Sequence, residues 1–240
     1  SGRGGGNACA LASSDCTRTC RLAGLVRGVA GSDRFGAEQL AGAITEAKNM
    51  ITYSDILAAA ERIRPFALKT PVKTSAALDA LSGARLFFKC ENLQVGGAFK
   101  FRGAVNAVFA LDDAIAEKGV ITHSSGNHGA ALARAAKLRG ITAQVIVPEG
   151  AVQSKLDAML AAGAVIHRCA PTQAAREAMT RECIAETGAT LVHPYEDPKV
   201  MAGQGTAALE LLAEVPQLDA VIVPVGGGGL IAGTAVALDP

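Results

Sequence analysis

The sequence predicts an α/β fold built on parallel sheet, and three observations carry that prediction. From Met50 onward, apolar runs of about five residues alternate with helical patterns of about 10 to 18 residues, the signature of repeated βαβ units. The runs, such as "AQVIV" and "AVIVPV", are nearly continuous in apolar residues, as strands covered by helices on both faces require. Two of them run straight into polar or glycine-rich stretches, Ser124 to Gly129 and Gly226 to Leu230. Open α/β sheets hold their ligands at such strand ends.

The elements follow in order. Residues 1–49 hold nine glycines, three cysteines and five arginines without sustained periodicity, and are read as a disordered or non-native extension. The arginines and serines fit a transit peptide weakly, and the apolar core of a secretory signal is missing. Met50 is read as the natural start. "TYSDILAAAERI" is a helix with a polar start, stopped near Arg64-Pro65 because the residue before proline avoids the helical region. "ARLFFKCE" is a short strand and "FRGAVNAVFAL" a helix. "GVITHS" is a strand, "GNHGAALARAAKLRG" a helix closed by Gly140, and "TAQVIVP" a strand. "VQSKLDAMLAAG" is a helix closed by Gly163, followed by the strand "AVIHRC". "PTQAAREAMTRECIAETG" is a helix, "ATLVHP" a strand, "VMAGQGTAALELLAEV" a helix, and "DAVIVPVGGGG" a strand that ends in glycines before a further helix. "EDPK", residues 196–199, reads as a solvated turn.

Bulk composition narrows the function classes. With 23 basic and 22 acidic residues among 240, the net charge is +1, which leaves no footprint for nucleic acid or an anionic membrane. No stretch reaches the ~18 uncharged apolar residues that a membrane helix needs. Six cysteines, Cys9, Cys16, Cys20, Cys90, Cys169 and Cys183, show no paired C-x-x-C spacing. They are read as small buried hydrophobes in a reducing, cytoplasmic setting.

Three short segments carry chemistry. In "GGAFKFRGA", residues 96–104, Lys100 stands between Phe99 and Phe101. The plain reading is a loop lysine that lays its stem over apolar neighbours. The alternative is an amine in a dry pocket, where desolvation lowers its pKa and makes it a nucleophile. In Ser124-Ser125-Gly126-Asn127-His128-Gly129, free amides at a helix start beside Ser and Asn side chains suit a carboxylate or phosphate. Capping alone would need one such residue. Gly226-Gly227-Gly228-Gly229 cost backbone entropy that a simple turn does not demand, but they let several N–H groups approach an anion. The run is neither a dinucleotide fingerprint nor a Walker motif. An amine that captures an aldehyde, with a phosphate cradle beside it, is what pyridoxal phosphate chemistry requires. Taken together, the three segments favour the activated amine.

On "FFKCENLQ", "GAFKFRGA", "THSSGNHGAAL", "VHPYEDP", "AGQGTAALE" and "VPVGGGGLIAG", the chain from Met50 resembles the fold-type II pyridoxal phosphate enzymes of the serine/threonine dehydratase and serine racemase group. The resemblance implies two open parallel-sheet α/β domains with the cofactor in the cleft between them. Residues 113–197 would form the small domain, with 50–112 and 198–240 an incomplete large one. It implies that Lys100 carries pyridoxal 5'-phosphate, Phe99 packs near its ring, Asn127 bonds its phenolic oxygen, and Gly226, Gly227, Gly228, Gly229 and Leu230 bind its phosphate. Ser124, Ser125, Gly126, Asn127 and His128 would hold the substrate carboxylate. Lys100 would remove the Cα proton, and Ser125 would serve the opposite face in racemases.

The activity so implied is dehydration of L-threonine or L-serine to a 2-oxo acid and ammonia, with serine racemisation or 3-hydroxyaspartate dehydration as alternatives. An inactive truncated fragment is the non-enzyme alternative. "SSGNH" in place of "SAGNH" points to the racemase and hydroxyaspartate side, whereas Ala130 for the usual Gln and Tyr195 for a frequent Asn depart from it. A divalent ion (Mg or Mn) occurs in some members, and its ligands would fall beyond this chain. The expected partner is a small amino-acid substrate, with no nucleic acid and no membrane. A homo-oligomer, dimer or tetramer, is expected at full length.

Overall fold

The computed structural model describes residues 8–13 and 51–239. In chain order its elements are β1 (Ala8–Ser13), α1 (Tyr53–Ile63), β2 (Val72–Lys73), α2 (Ala76–Ser82), β3 (Phe88–Lys89), α3 (Lys100–Phe109) and α4 (Asp113–Ala116). They continue with β4 (Val120–Thr122), α5 (Asn127–Arg139), β5 (Ala143–Pro148), α6 (Gln153–Ala161) and β6 (Val165–Cys169). The last are α7 (Gln173–Thr187), β7 (Thr190–Leu191), α8 (Pro198–Glu214), β8 (Ala220–Val225) and α9 (Gly229–Leu238).

One parallel sheet runs in the order β6-β5-β4-β7. Successive side chains of a strand point to opposite faces, and the core divides accordingly. Val120, Val145 and Val147 pack with Leu132 and Ala136 of α5 and Leu156 and Met159 of α6. Ile121 and Ile146 pack with Cys169 and with Met179 and Cys183 of α7. Helices therefore cover both faces. Gly140 and Gly188 close α5 and α7 in the left-handed conformation, at φ +74° and +69°, and Gly163 follows α6 at φ +83°.

The strand order places the site. From β4 the chain winds outward through β5 and β6, then returns to pair β7 on the other side of β4. The loops leaving β4 and β7 thus diverge and open a crevice at the C-terminal edge of the sheet.

The second layer packs α8 against α1, α3 and α9. Two glycines of "AGQG" make this close. A Cβ on Gly203 would lie 2.6 Å from Gly103 Cα of α3, and one on Gly205 would lie 2.8 Å from the Gly233 carbonyl oxygen of α9. The segment 196–199, read as a turn, instead starts α8: Asp197 caps it by accepting from Lys199 N at 2.7 Å and Val200 N at 3.3 Å, with Pro198 in the first turn.

Outside the four-stranded sheet, the described residues form two antiparallel pairs, β2 with β3 and β1 with β8. The strand expected over "ARLFFKCE" is only Phe88–Lys89. Within the extension 1–49, Ala8–Ser13 lie in register with Val225–Ala220, where no strand was expected. "ACALAS" is made mostly of small residues without an apolar–polar alternation. The rest of that extension lies outside the described residues. Among the described residues no helix is long and apolar enough to cross a membrane.

Candidate active site

Lys100 opens α3, and its two aromatic neighbours part company. Phe101 is buried in the main core, while Phe99 lines a cleft of about 370 Å³. The lysine stays with Phe99: its Nζ lies 5.3 Å from that ring centroid and donates to the Pro194 carbonyl at 2.7 Å. Burial lowers the pKa of this amine below the ordinary lysine value. The snorkelling reading does not describe it.

Arg102 fixes the helix that carries the lysine. The guanidinium is fully buried and makes paired bonds to Glu91 (Nε 2.8 Å, Nη2 2.9 Å) and Glu210 (Nη1 2.7 Å, Nη2 2.8 Å). Lys89 adds a second cation on Glu210 at 2.7 Å. Burial opposes the arginine's charge, but the bonds and charges of Glu91 and Glu210 outweigh it and raise its pKa. Desolvation likewise works against the Glu210 carboxylate, yet Arg102 and Lys89 hold its pKa below the usual value. Further along α3, Asn106 Nδ2 donates to the Lys199 carbonyl at 2.7 Å and Gly103 N to Gln204 Oε1 at 3.2 Å.

The opposite wall of the cleft comes from the loop after β4 and the start of α5: His123, Ser124, Ser125, Gly126, Asn127 and His128 all line it. Helix α5 has Gly126 at its N-cap and no side-chain capping bond. The serines and Asn127 are therefore not spent on capping, which removes the plain explanation for them. The loop is held tight by Gly129, where a Cβ would meet the Ser124 carbonyl oxygen at 2.1 Å.

His128 is almost wholly buried. Its Nε2 lies 3.2 Å from the Val192 carbonyl oxygen, and its Nδ1 has no partner among the described residues. Desolvation first, then the Lys100 charge, push its pKa down to about 3, so the ring is neutral near pH 7 and donates through Nε2.

The third wall is the strand-end segment after β7. Pro194 and Tyr195 line the cleft, and His193 stacks edge-on between His123 (centroids 5.1 Å) and Tyr195 (4.6 Å). Gly226 to Leu230 are not on the cleft wall. They lie behind Tyr195: a Cβ on Gly227 would meet its ring at 2.2 Å, and one on Gly229 its carbonyl oxygen at 3.0 Å. Gly226 and Gly228 face open space, and Gly228 takes φ +89°. The free amides at the start of α9 follow directly. Leu230 packs its side chain into a small cluster with Val221 and Val223, which leaves its backbone for any anion.

Two functional candidates were absent from the sequence reading. Arg176 of α7 lines the cleft, and its Nε is buried without a partner among the described residues. Lys155 of α6 donates to Asn127 Oδ1 at 2.6 Å. Both also line an adjoining cavity of about 480 Å³ with Ser125, Gly126 and Glu149. No local pattern marks either residue; only the order of the strands brings α6 and α7 to the crevice.

Comparison with known proteins agrees with this geometry. Residues 63–240 match the family described as pyridoxal-phosphate dependent enzyme. The chain is 56% identical over 187 residues to the beta-hydroxyaspartate dehydratase of Paracoccus denitrificans (strain Pd 1222), covering 78% of this chain and 59% of that protein. The crystal structure of serine racemase from Dictyostelium discoideum superposes with a TM-score of 0.74 at 47% identity, over 78% of this chain and 61% of that one. That of the T.th. threonine deaminase gives 0.70 at 43%, over 78% and 60%. The chain thus spans about three fifths of the length of these relatives. The family match over residues 63–240, with a lysine of lowered pKa at a switch-point crevice beside it, leaves one family assignment: the chain belongs to the pyridoxal-phosphate dependent enzymes of fold type II.

Proposed function

We propose that the whole protein is an ammonia-lyase for 3-hydroxyaspartate, and that Arg176 is the observation that selects this substrate. A guanidinium with a buried, unpartnered Nε at the wall of the cleft calls for an anion, and bidentate carboxylate is its best partner. Serine and threonine bring one carboxylate, which the Ser124–His128 loop can take. Hydroxyaspartate brings a second. The 56% identity to the beta-hydroxyaspartate dehydratase supports the same choice. Dehydration of serine or threonine, the first expectation from sequence, gives way to it.

The residues present suit pyridoxal 5'-phosphate. Lys100 offers an amine whose pKa burial has lowered, Asn127 an amide on the cleft wall, and the glycine run a backbone that faces open space at Gly226 and Gly228. When bound, the cofactor supplies a sink for the electron pair left at the substrate Cα. Lys100 Nζ would take the Cα proton. The amides at the start of α5 and the Ser124 and Ser125 hydroxyls orient the α-carboxylate. The Cβ–O bond would then break with the hydroxyl taking the proton that Lys100 Nζ had removed, so that it leaves as water, and the released enamine would hydrolyse to the 2-oxo acid and ammonia.

Racemisation of serine is the second reading. Ser125 lines the same cleft as Lys100, has no capping duty and offers a hydroxyl to the opposite face of Cα; the serine racemase at 47% identity supports it.

The test is substrate preference in the cofactor-loaded protein. With 3-hydroxyaspartate preferred, Arg176→Met lowers kcat/KM for it by about 30- to 100-fold, the worth of a charge-assisted pair of bonds. Serine turnover changes less than about threefold. Equal loss on both substrates would remove Arg176 as the selecting residue.

A further inference from the structure

Lys155 sits one helix away from the chemistry, yet its ammonium reaches the amide of Asn127. We infer that Lys155 is a positioning residue that fixes which way this amide points. An ammonium has three donors and no acceptor, so the atom 2.6 Å from Lys155 Nζ must be the amide oxygen. With Oδ1 turned towards α6, Nδ2 and its two hydrogens are left for the cleft that Asn127 lines. An unheld amide has two orientations of similar energy, and only one of them presents a donor to a phenolic oxygen. Asn127 is exposed and α5 has no side-chain cap, so nothing in its own helix makes that choice.

Lys155 is suited to the task because it arrives from a separate element. Helix α6 is anchored to the sheet by Leu156 and Met159, both fully buried, which places residue 155 beside the start of α5. The same amine lines the adjoining cavity with Arg176, but its bond to Asn127 distinguishes its role.

This inference rests on the proposed role of Asn127 at the cofactor, and the experiment separates the two. The readouts are the affinity of the protein for pyridoxal 5'-phosphate, followed by visible absorbance, and the pH midpoint of the bound cofactor's visible band. A donor on the phenolic oxygen withdraws charge from it; losing that donor strengthens the oxygen's hold on the neighbouring proton and raises the midpoint. Asn127→Ala is expected to weaken cofactor binding about tenfold and to raise the midpoint. Lys155→Met does the same in smaller measure, about three- to fivefold, and Lys155→Arg, which keeps a donor, restores both.

The double variant decides between position and charge. Removing a cation would also raise the midpoint, but it would do so whether or not Asn127 is present. If Lys155 acts through the amide, Lys155→Met changes neither readout further in the Asn127→Ala background. Effects that multiply, or a Lys155→Met protein identical to the parent, overturn the inference. A parent-like Asn127→Ala overturns it as well, by removing Asn127 from the cofactor, while attachment at Lys100 stays intact.

Discussion

A methyl group on Gly129 would press within 2.1 Å of the Ser124 carbonyl oxygen and 2.8 Å of Met159 Cε. The carbonyl is backbone and cannot step aside without moving the Ser124–His128 loop. Gly129→Ala is therefore expected to destabilise the fold by about 2–3 kcal/mol, as overpacking does, and to weaken cofactor binding together with it; urea unfolding and absorbance titration measure the two. Lys100 carries a second residue-scale expectation. Only the neutral amine captures an aldehyde, and its fraction rises with pH. Because burial lowers the Lys100 pKa from 10.5, the capture rate for pyridoxal 5'-phosphate levels off below pH 10.5. A rate still climbing at that pH would place the amine in water. At this scale the sequence was informative where residue types cluster along the chain, as at Lys100 and Ser124 to His128. It was silent on Arg176 and Lys155, since each is an ordinary polar position of an amphipathic helix until the sheet order is known.

Between elements, the packing of α8 decides where Lys100 sits. Glu210 of α8 and Glu91 hold Arg102 two residues beyond the lysine. Glu210→Gln leaves the buried guanidinium short of an anion and costs about 2–3 kcal/mol, read as a lower urea midpoint. Gly203→Val is expected to be worse, because a side chain there meets backbone of α3 and must push α8 from the helix that carries the lysine. Helices with strong caps and glycine stops were legible from sequence, as was each strand of the parallel sheet. The short elements β2, α2 and α4 were not, because two to seven residues show no period. Asp197-Pro198 is a helix start that reads equally well as a turn: the same residue types satisfy a free N–H in both.

For the whole molecule, the doubly covered sheet and its reversal between β4 and β7 account for the position of the cleft, and the buried titratable groups set the pH range in which it survives. His128 has its pKa depressed from 6.5 to about 3, so the unfolded chain binds a proton there before the folded one does. Stability is complete above pH 6.5 and declines as pH falls towards 3. Glu210, lowered from 4.5, adds to the decline below pH 4.5, where the unfolded carboxylate protonates first. The urea midpoint should fall from pH 6.5 downwards and steepen below 4.5; a flat midpoint between pH 7 and 5 would contradict the buried, neutral His128. The fold class was legible because βαβ alternation is a property of long stretches. The convergence of two strand-end segments, after β4 and after β7, on one amine was not, since it depends on which strands are neighbours. That convergence is tested most directly by incubating the protein with pyridoxal 5'-phosphate, reducing with borohydride and mapping the modified peptide. One phosphopyridoxyl group on Lys100, absent in Lys100→Met, is the predicted result; modification of a different lysine, or undiminished labelling of Lys100→Met, would contradict the account.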